Sequence, residues 1–242
     1  MYERTYKIER FLADHSGKLK PPVLFNMLSD IMERNANSYG AGATFHLSQN
    51  LAWVLTEYQI EFNAWPKSDE VVSIGTLPYS FKKMYGFRIY HGKDAEGNVL
   101  FKGKGKFVLI DIKTKELVKP SQDILNLFTD AKKEPQILPF EKWHLKGDHL
   151  LLRNHTTISH DFIDINGHLN NAHSVTLAHK VLDPVYIKDA QIKALYVRYR
   201  KEAFKDESVT VNLYKESDNE FGVIIKREDT IISELLIKVG SV

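Results

Sequence analysis

The chain has 242 residues, 43% of them hydrophobic and 26% charged, with a formal net charge of +2 and no cysteine. That composition fits an ordinary globular protein of one fused unit or two domains of about 100 to 120 residues each, and it excludes disulfides, thiolate zinc sites and cysteine nucleophiles. So small a charge does not point to nucleic acid, no apolar run approaches the roughly 18 residues of a membrane span, and the charged start Met1-Tyr2-Glu3-Arg4-Thr5-Tyr6 reads as no signal peptide, so a cytoplasmic protein without membrane partners is expected.

Pro21 to Met32 carries apolar residues at three-to-four spacing, with proline where a first turn tolerates it, and predicts a helix. A Gly-containing loop from Tyr39 to Asn50 follows. β-type runs at Ala52 to Phe62, Glu70 to Leu77, Met84 to Tyr90 and Val99 to Ile112 predict four strands, with Ala95-Glu96-Gly97-Asn98 as a turn. Gln122 to Leu145 reads as a short helix and then a linker. The order then recurs: a strand at Leu151 to Ser159, a helix from about Asn171 to Leu182, and strands near Ile192 to Glu202, Ser208 to Lys215, Phe221 to Glu228 and Thr230 to Val239. One long helix against an antiparallel sheet, occurring twice, is an α+β plan. It divides the chain into an N-terminal repeat over 1–128, a linker over 129–147 and a C-terminal repeat over 148–242.

The repeat is visible residue by residue. Asp14-His15-Ser16-Gly17-Lys18-Leu19 matches Asp164-Ile165-Asn166-Gly167-His168-Leu169 at an offset of 150, and Ile8 falls on Ile158. Phe62 to Ile74, which contains Trp65 and Pro66, matches Tyr199 to Val211, which contains Glu202 and Ala203, at an offset of 137. The first half is therefore longer by 150 − 137 = 13 residues, and the Tyr39–Asn50 loop is the natural place for them. A feature needed for folding belongs in both copies. Asp, Gly and Leu recur, whereas Asn166, His168 and Glu202 face Ser16, Lys18 and Trp65, so the second copy reads as the catalytic one.

Asp164 to Asn171 packs a carboxylate, a carboxamide and an imidazole just before an apolar helix. Run extended, the segment would place Asp164, Asn166 and His168 on one side of the backbone. The plainer reading is a turn and an N-cap, with Asn170 or Asn171 as the cap. The histidines His155, His160, His168, His173 and His179 form no pair at metal-binding spacing with a third ligand, so neither metal nor cofactor is expected.

A duplicated helix-plus-sheet unit with Asp-x-Asn-x-His-x-Asn-Asn opening its second helix, together with Trp53-Val54-Leu55, Ile110-Asp111 and Tyr199-Arg200-Lys201-Glu202, resembles the acyl-acyl carrier protein thioesterases of plants and bacteria. The resemblance implies a tandem (double) hotdog fold and hydrolysis of fatty acyl-acyl carrier protein to free fatty acid. It also implies a catalytic set of Asp164, Asn166, His168 and Glu202. In that set Glu202 and His168 together would activate water, Asn166 would hold Glu202 or the thioester carbonyl, and Asp164 would orient its neighbours. A backbone N–H near Gly167 or His168 could complete an oxyanion hole. The sequence departs from the plant pattern at Ala203, where a cysteine is common, and at Ser174, where a tyrosine is.

By the same resemblance the first half lines the acyl pocket, with Met27, Ile31, Trp53 and Leu55 as wall residues. The alternating Lys102, Lys104 and Lys106, with Lys82, Lys83, Arg88, Arg198, Arg200 and Lys201, would offer positive charge to an acidic acyl carrier protein; solvated strand faces are the plainer reading. Acyl-CoA thioesterase and a non-catalytic acyl-binding or sensing protein are the alternatives. A hotdog hydratase fits less well, because its histidine stands one residue farther from the asparagine. Monomer and homodimer are both compatible with tandem units.

Overall fold

The computed structural model describes residues 1–131, 137–182 and 191–240. The chain forms two compact units, Met1–Leu19 with Asn26–Glu141, and Lys20–Phe25 with Lys142–Val242. Residues 132–136 of the expected linker lie outside the described residues.

In the first unit, strands β1 (Tyr2–Lys7), β2 (Leu51–Phe62), β3 (Val71–Lys82), β4 (Tyr85–Lys93) and β5 (Val99–Asp111) form an antiparallel sheet in the order β1-β3-β4-β5-β2. Its helices are α1 (Pro21–Ser38) from Asn26 onward, α2 (Ala43–Ser48) and α3 (Gln122–Leu127). Leu28 and Ile31 of α1 are fully buried, as are Ile60 of β2, Phe101 of β5 and Leu109, so the apolar helical stripe and the inward strand positions share one core. Gly92 of β4 sits opposite Phe101 of β5. A Cβ added to Gly92 would lie 2.0 Å from Phe101 Cε1, a ring with no room to move. Gly92→Ala is therefore expected to lower stability by about 1 to 3 kcal/mol through overpacking, read as a lower urea midpoint at unchanged slope.

The second unit contains β6 (Leu150–Thr157), α4 (Asn171–Val181), β7 (Gln191–Tyr199), β8 (Ser208–Ser217), β9 (Glu220–Arg227) and β10 (Thr230–Gly240). Its sheet order, β6-β8-β9-β10-β7, reproduces that of the first unit strand for strand, and α4 packs on β8, β9 and β10. Trp143, Ala194, Tyr196 and Leu236 form a buried cluster in this unit. Backbone hydrogen bonds repeat at the sequence offsets. Ile8 N–H donates to Glu70 O at 2.8 Å, and Ile158 N–H donates to Glu207 O at 2.9 Å. Asp69 and Asp206, which return the bond to Ile8 O and Ile158 O, are both left-handed, at φ 67° and 66°.

Two expectations change. β1 is an additional strand, and its mostly exposed, charged side chains gave it no apolar alternation. The Tyr39–Asn50 segment is not all loop: α1 runs on to Ser38, and α2 occupies much of the remainder. Among the described residues no helix is long and apolar enough to cross a membrane.

Candidate active site

The Asp164–Asn170 segment is a turn, not an extended run, and this corrects the expected alternation. Ile163 and Leu169 bridge across its base, Asp164 N–H donates to His168 O at 2.9 Å, and Gly167 N–H donates to Asp164 O at 3.0 Å. Gly167 lies at φ +80° with open space around it, so the position needs glycine for its backbone conformation rather than for room. Asp164 Oδ1 accepts the N–H groups of Asn166 at 2.8 Å and of His168 at 3.3 Å, and Oδ2 accepts Asn166 Nδ2 at 3.3 Å. One carboxylate therefore folds the loop that carries both other side chains. These bonds occupy the N–H groups of Gly167 and His168, which removes them as oxyanion donors. Asn170 is the cap of α4: its Oδ1 accepts Ala172 N–H at 2.8 Å.

The loop is held against the segment that leaves β7. Leu169 N–H donates to Ala203 O at 2.7 Å, and Tyr199 Oη donates to Asn171 O at 3.1 Å. Those ties bring Glu202 Oε2 to 3.5 Å from His168 Nε2. The two side chains are 42% and 26% exposed, so water reaches both. The separation is slightly long for a hydrogen bond. Phe204 packs edge-on to the His168 ring at 5.2 Å. The sequence reading missed that contact, and an aromatic residue two places after Glu202 was the only signal for it.

The first copy shows which parts belong to the fold. Asp14 Oδ1 accepts Ser16 N–H at 2.8 Å, Ser16 Oγ at 2.7 Å and Lys18 N–H at 3.1 Å, and Gly17 lies at φ +75°. Burial works against the Asp14 carboxylate, but the bonds from Ser16 and Lys18 prevail and hold its pKa below the usual carboxylate value. Leu19 N–H donates to Pro66 O, as Leu169 does to Ala203. At the place of Glu202, however, stands Trp65, whose Nε1 donates to Leu19 O at 2.6 Å.

Of the expected pocket residues, Met27, Ile31 and Leu55 are buried, and Trp53 is half-buried beside His46 and Phe81. The expected docking charges divide. Lys102 is exposed, but Lys104 Nζ donates to Pro139 O at 3.0 Å, and Lys106 pairs with Glu57 at 3.3 Å while facing the Phe140 ring at 5.6 Å. Arg198 covers Trp143 at 4.1 Å, and Arg200 pairs with Glu234 at 2.7 Å. Arg88 is not a surface charge at all; it is buried. Among the described residues no cluster of three His, Asp or Glu side chains could hold a metal.

Residues 1–128 match the family model described as the acyl-ACP thioesterase N-terminal domain, and residues 153–238 match that of the C-terminal domain. A chloroplastic acyl-(acyl-carrier-protein) hydrolase, FATB3, of Cuphea viscosissima is 27% identical over 174 residues, covering 67% of this chain and 41% of that protein. The match thus spans less than half the length of that curated relative. Two solved structures share the fold. An acyl-ACP thioesterase from Bacteroides thetaiotaomicron superposes with a TM-score of 0.87 at 19% identity, over 98% of this chain and 97% of that one. A 12:0-ACP thioesterase from Umbellularia californica superposes with a TM-score of 0.85 at 15% identity, over 98% and 96%.

Proposed function

Because the chain belongs to the acyl-ACP thioesterase family, a double-hotdog group, we propose that it hydrolyses the thioester of a fatty acyl-acyl carrier protein and releases the free fatty acid. The observation that supports this most is the His168–Glu202 pair at 3.5 Å in the second unit, set against Lys18 and Trp65 at the equivalent places of the first. Glu202, held in line with His168, accepts a proton from water as its oxygen attacks the thioester carbon. The carbonyl oxygen becomes an oxyanion, and the Asn166 amide, one of whose two hydrogens is engaged by Asp164, offers it the other. The C–S bond then breaks, and the proton taken up by Glu202 passes through His168 to the departing thiolate. Asp164 is a positioning residue that shapes the loop.

We assign the acyl chain to the apolar interior of the first unit, where Met27, Ile31 and Leu55 are buried; Trp53 packs against the separate cluster of Ala41, Leu109, Ile124 and Phe128. The carrier would be met by the lysines left exposed, Lys83, Lys102 and Lys201, rather than by the arginines that Glu234 neutralises. We place the protein in the cytoplasm, with which a chain free of cysteine is compatible. The test is turnover of acyl-carrier and acyl-CoA thioesters of matched chain length by the wild-type protein. Preferred cleavage of the carrier substrate supports this reading; preference for the CoA thioester would make it an acyl-CoA thioesterase, and binding without turnover would make it an acyl-binding protein.

A further inference from the structure

Arg88 of β4 lies inside the first unit, 6% exposed. Its Nη1 donates to Asn35 Oδ1 at 2.6 Å and to Thr76 Oγ1 at 3.2 Å, and both acceptors are neutral. Among the described residues no carboxylate forms an ion pair with it. A guanidinium carries five N–H donors, and these two contacts engage Nη1 alone. Burial pushes the group below its ordinary pKa, against the smaller opposing pull of Tyr90, Tyr58, Tyr39 and Glu33. Nearby, the buried hydroxyls of Tyr58 and Tyr90 lie 3.2 Å apart.

Position gives this cluster a meaning. Met27, Ile31 and Asn35 follow one another at intervals of four along α1, so they form a single stripe on one helix face. The first two are the apolar wall to which the acyl chain is assigned above, and the third is the partner of Arg88. The stripe therefore passes from apolar to polar in one helical turn.

We propose that Arg88 is a specificity-determining residue: with Asn35, Thr76 and the tyrosine pair it forms the polar end of the acyl site and selects fatty acyl chains whose far end carries a hydroxyl or carboxylate instead of a methyl group. The inference rests on the assignment of the acyl chain to the first unit. A methyl end pressed on the cluster would leave donors without acceptors, whereas an oxygen receives them, and a carboxylate also supplies a countercharge in direct contact.

Two readouts test this. The first is kcat/KM for acyl-carrier thioesters in pairs of equal length, methyl-ended and ω-hydroxy or ω-carboxy, across a range of lengths. The second is displacement of a fluorescent fatty acid by the corresponding free acids, which needs no catalysis. At the lengths that reach the cluster, the oxygen-ended member is expected to lead by at least about tenfold in both, and Arg88→Met is expected to abolish or reverse the lead. Should Arg88→Met fail to fold, Arg88→Lys keeps the charge but loses the fork, and a reduced lead is expected. Equal handling of the two ends by the wild-type protein at every length overturns the proposal. An oxygen-end preference in displacement without any hydrolysis would support the polar end while removing the thioesterase reading.

Discussion

His168→Ala is expected to lower kcat/KM for thioester hydrolysis by about 10³-fold, and Glu202→Gln by a similar factor, with unfolding midpoints close to wild type because both side chains lie at a solvent-exposed site. The more informative variant is the double one. If the two groups act as a unit on one water, His168→Ala with Glu202→Gln loses little more than either alone. Losses that multiply, to about 10⁶-fold, would mean independent roles for the carboxylate and the imidazole and would break the water-activating pair. Loss confined to KM would mark both as binding groups only.

Asp164→Ala and Asp14→Ala form a matched experiment that few proteins allow. Each removes a carboxylate that accepts three hydrogen bonds within the same turn, so each is expected to cost about 1 to 3 kcal/mol of stability. Their effects on turnover should differ. Asp164→Ala releases Asn166 and His168 from their places and is expected to lower kcat by about 10²-fold, whereas Asp14→Ala should leave kcat unchanged. Asp164→Asn keeps an oxygen at Oδ1 for the two backbone N–H groups and should recover most of the loss. A dead Asp164→Asn protein, with an acyl-enzyme trapped by hydroxylamine in the wild type, would instead make Asp164 the nucleophile.

The repeat was open to reading because the turn that begins each long helix needs the same residues, and Asp, Gly and Leu return at one offset. The same offset carries the strand at Leu151 to Ser159 back onto the first nine residues, so β1 could have been found from it even though its own charged side chains gave no alternation. Of the two readings of Asp164 to Asn171, the turn with Asn170 as cap stands; the extended one fails because Gly167 reverses the chain, and period-two reasoning does not survive a left-handed residue. Arg88 was misplaced for a different reason. Around it, Tyr85-Gly86-Phe87-Arg88-Ile89-Tyr90 is apolar or aromatic at both parities, so nothing local says which side faces inward, and a charge was assigned to solvent by default. The pairing of His168 with Glu202 spans 34 residues, and no periodicity reaches that far; the family resemblance, not the spacing, brought them together.

Trp65 makes the two copies unequal in what a single exchange could achieve. In the first copy its indole is stacked tilted on Phe62 at 4.0 Å and bonded to the Leu19 carbonyl, so the ground that a water-activating carboxylate would occupy is filled with interior packing. Exchanging Trp65 for glutamate would forfeit that packing and still leave Lys18 where the second copy has His168. A second reactive centre in the first copy is therefore at least two substitutions away, and the first of them costs stability without returning chemistry.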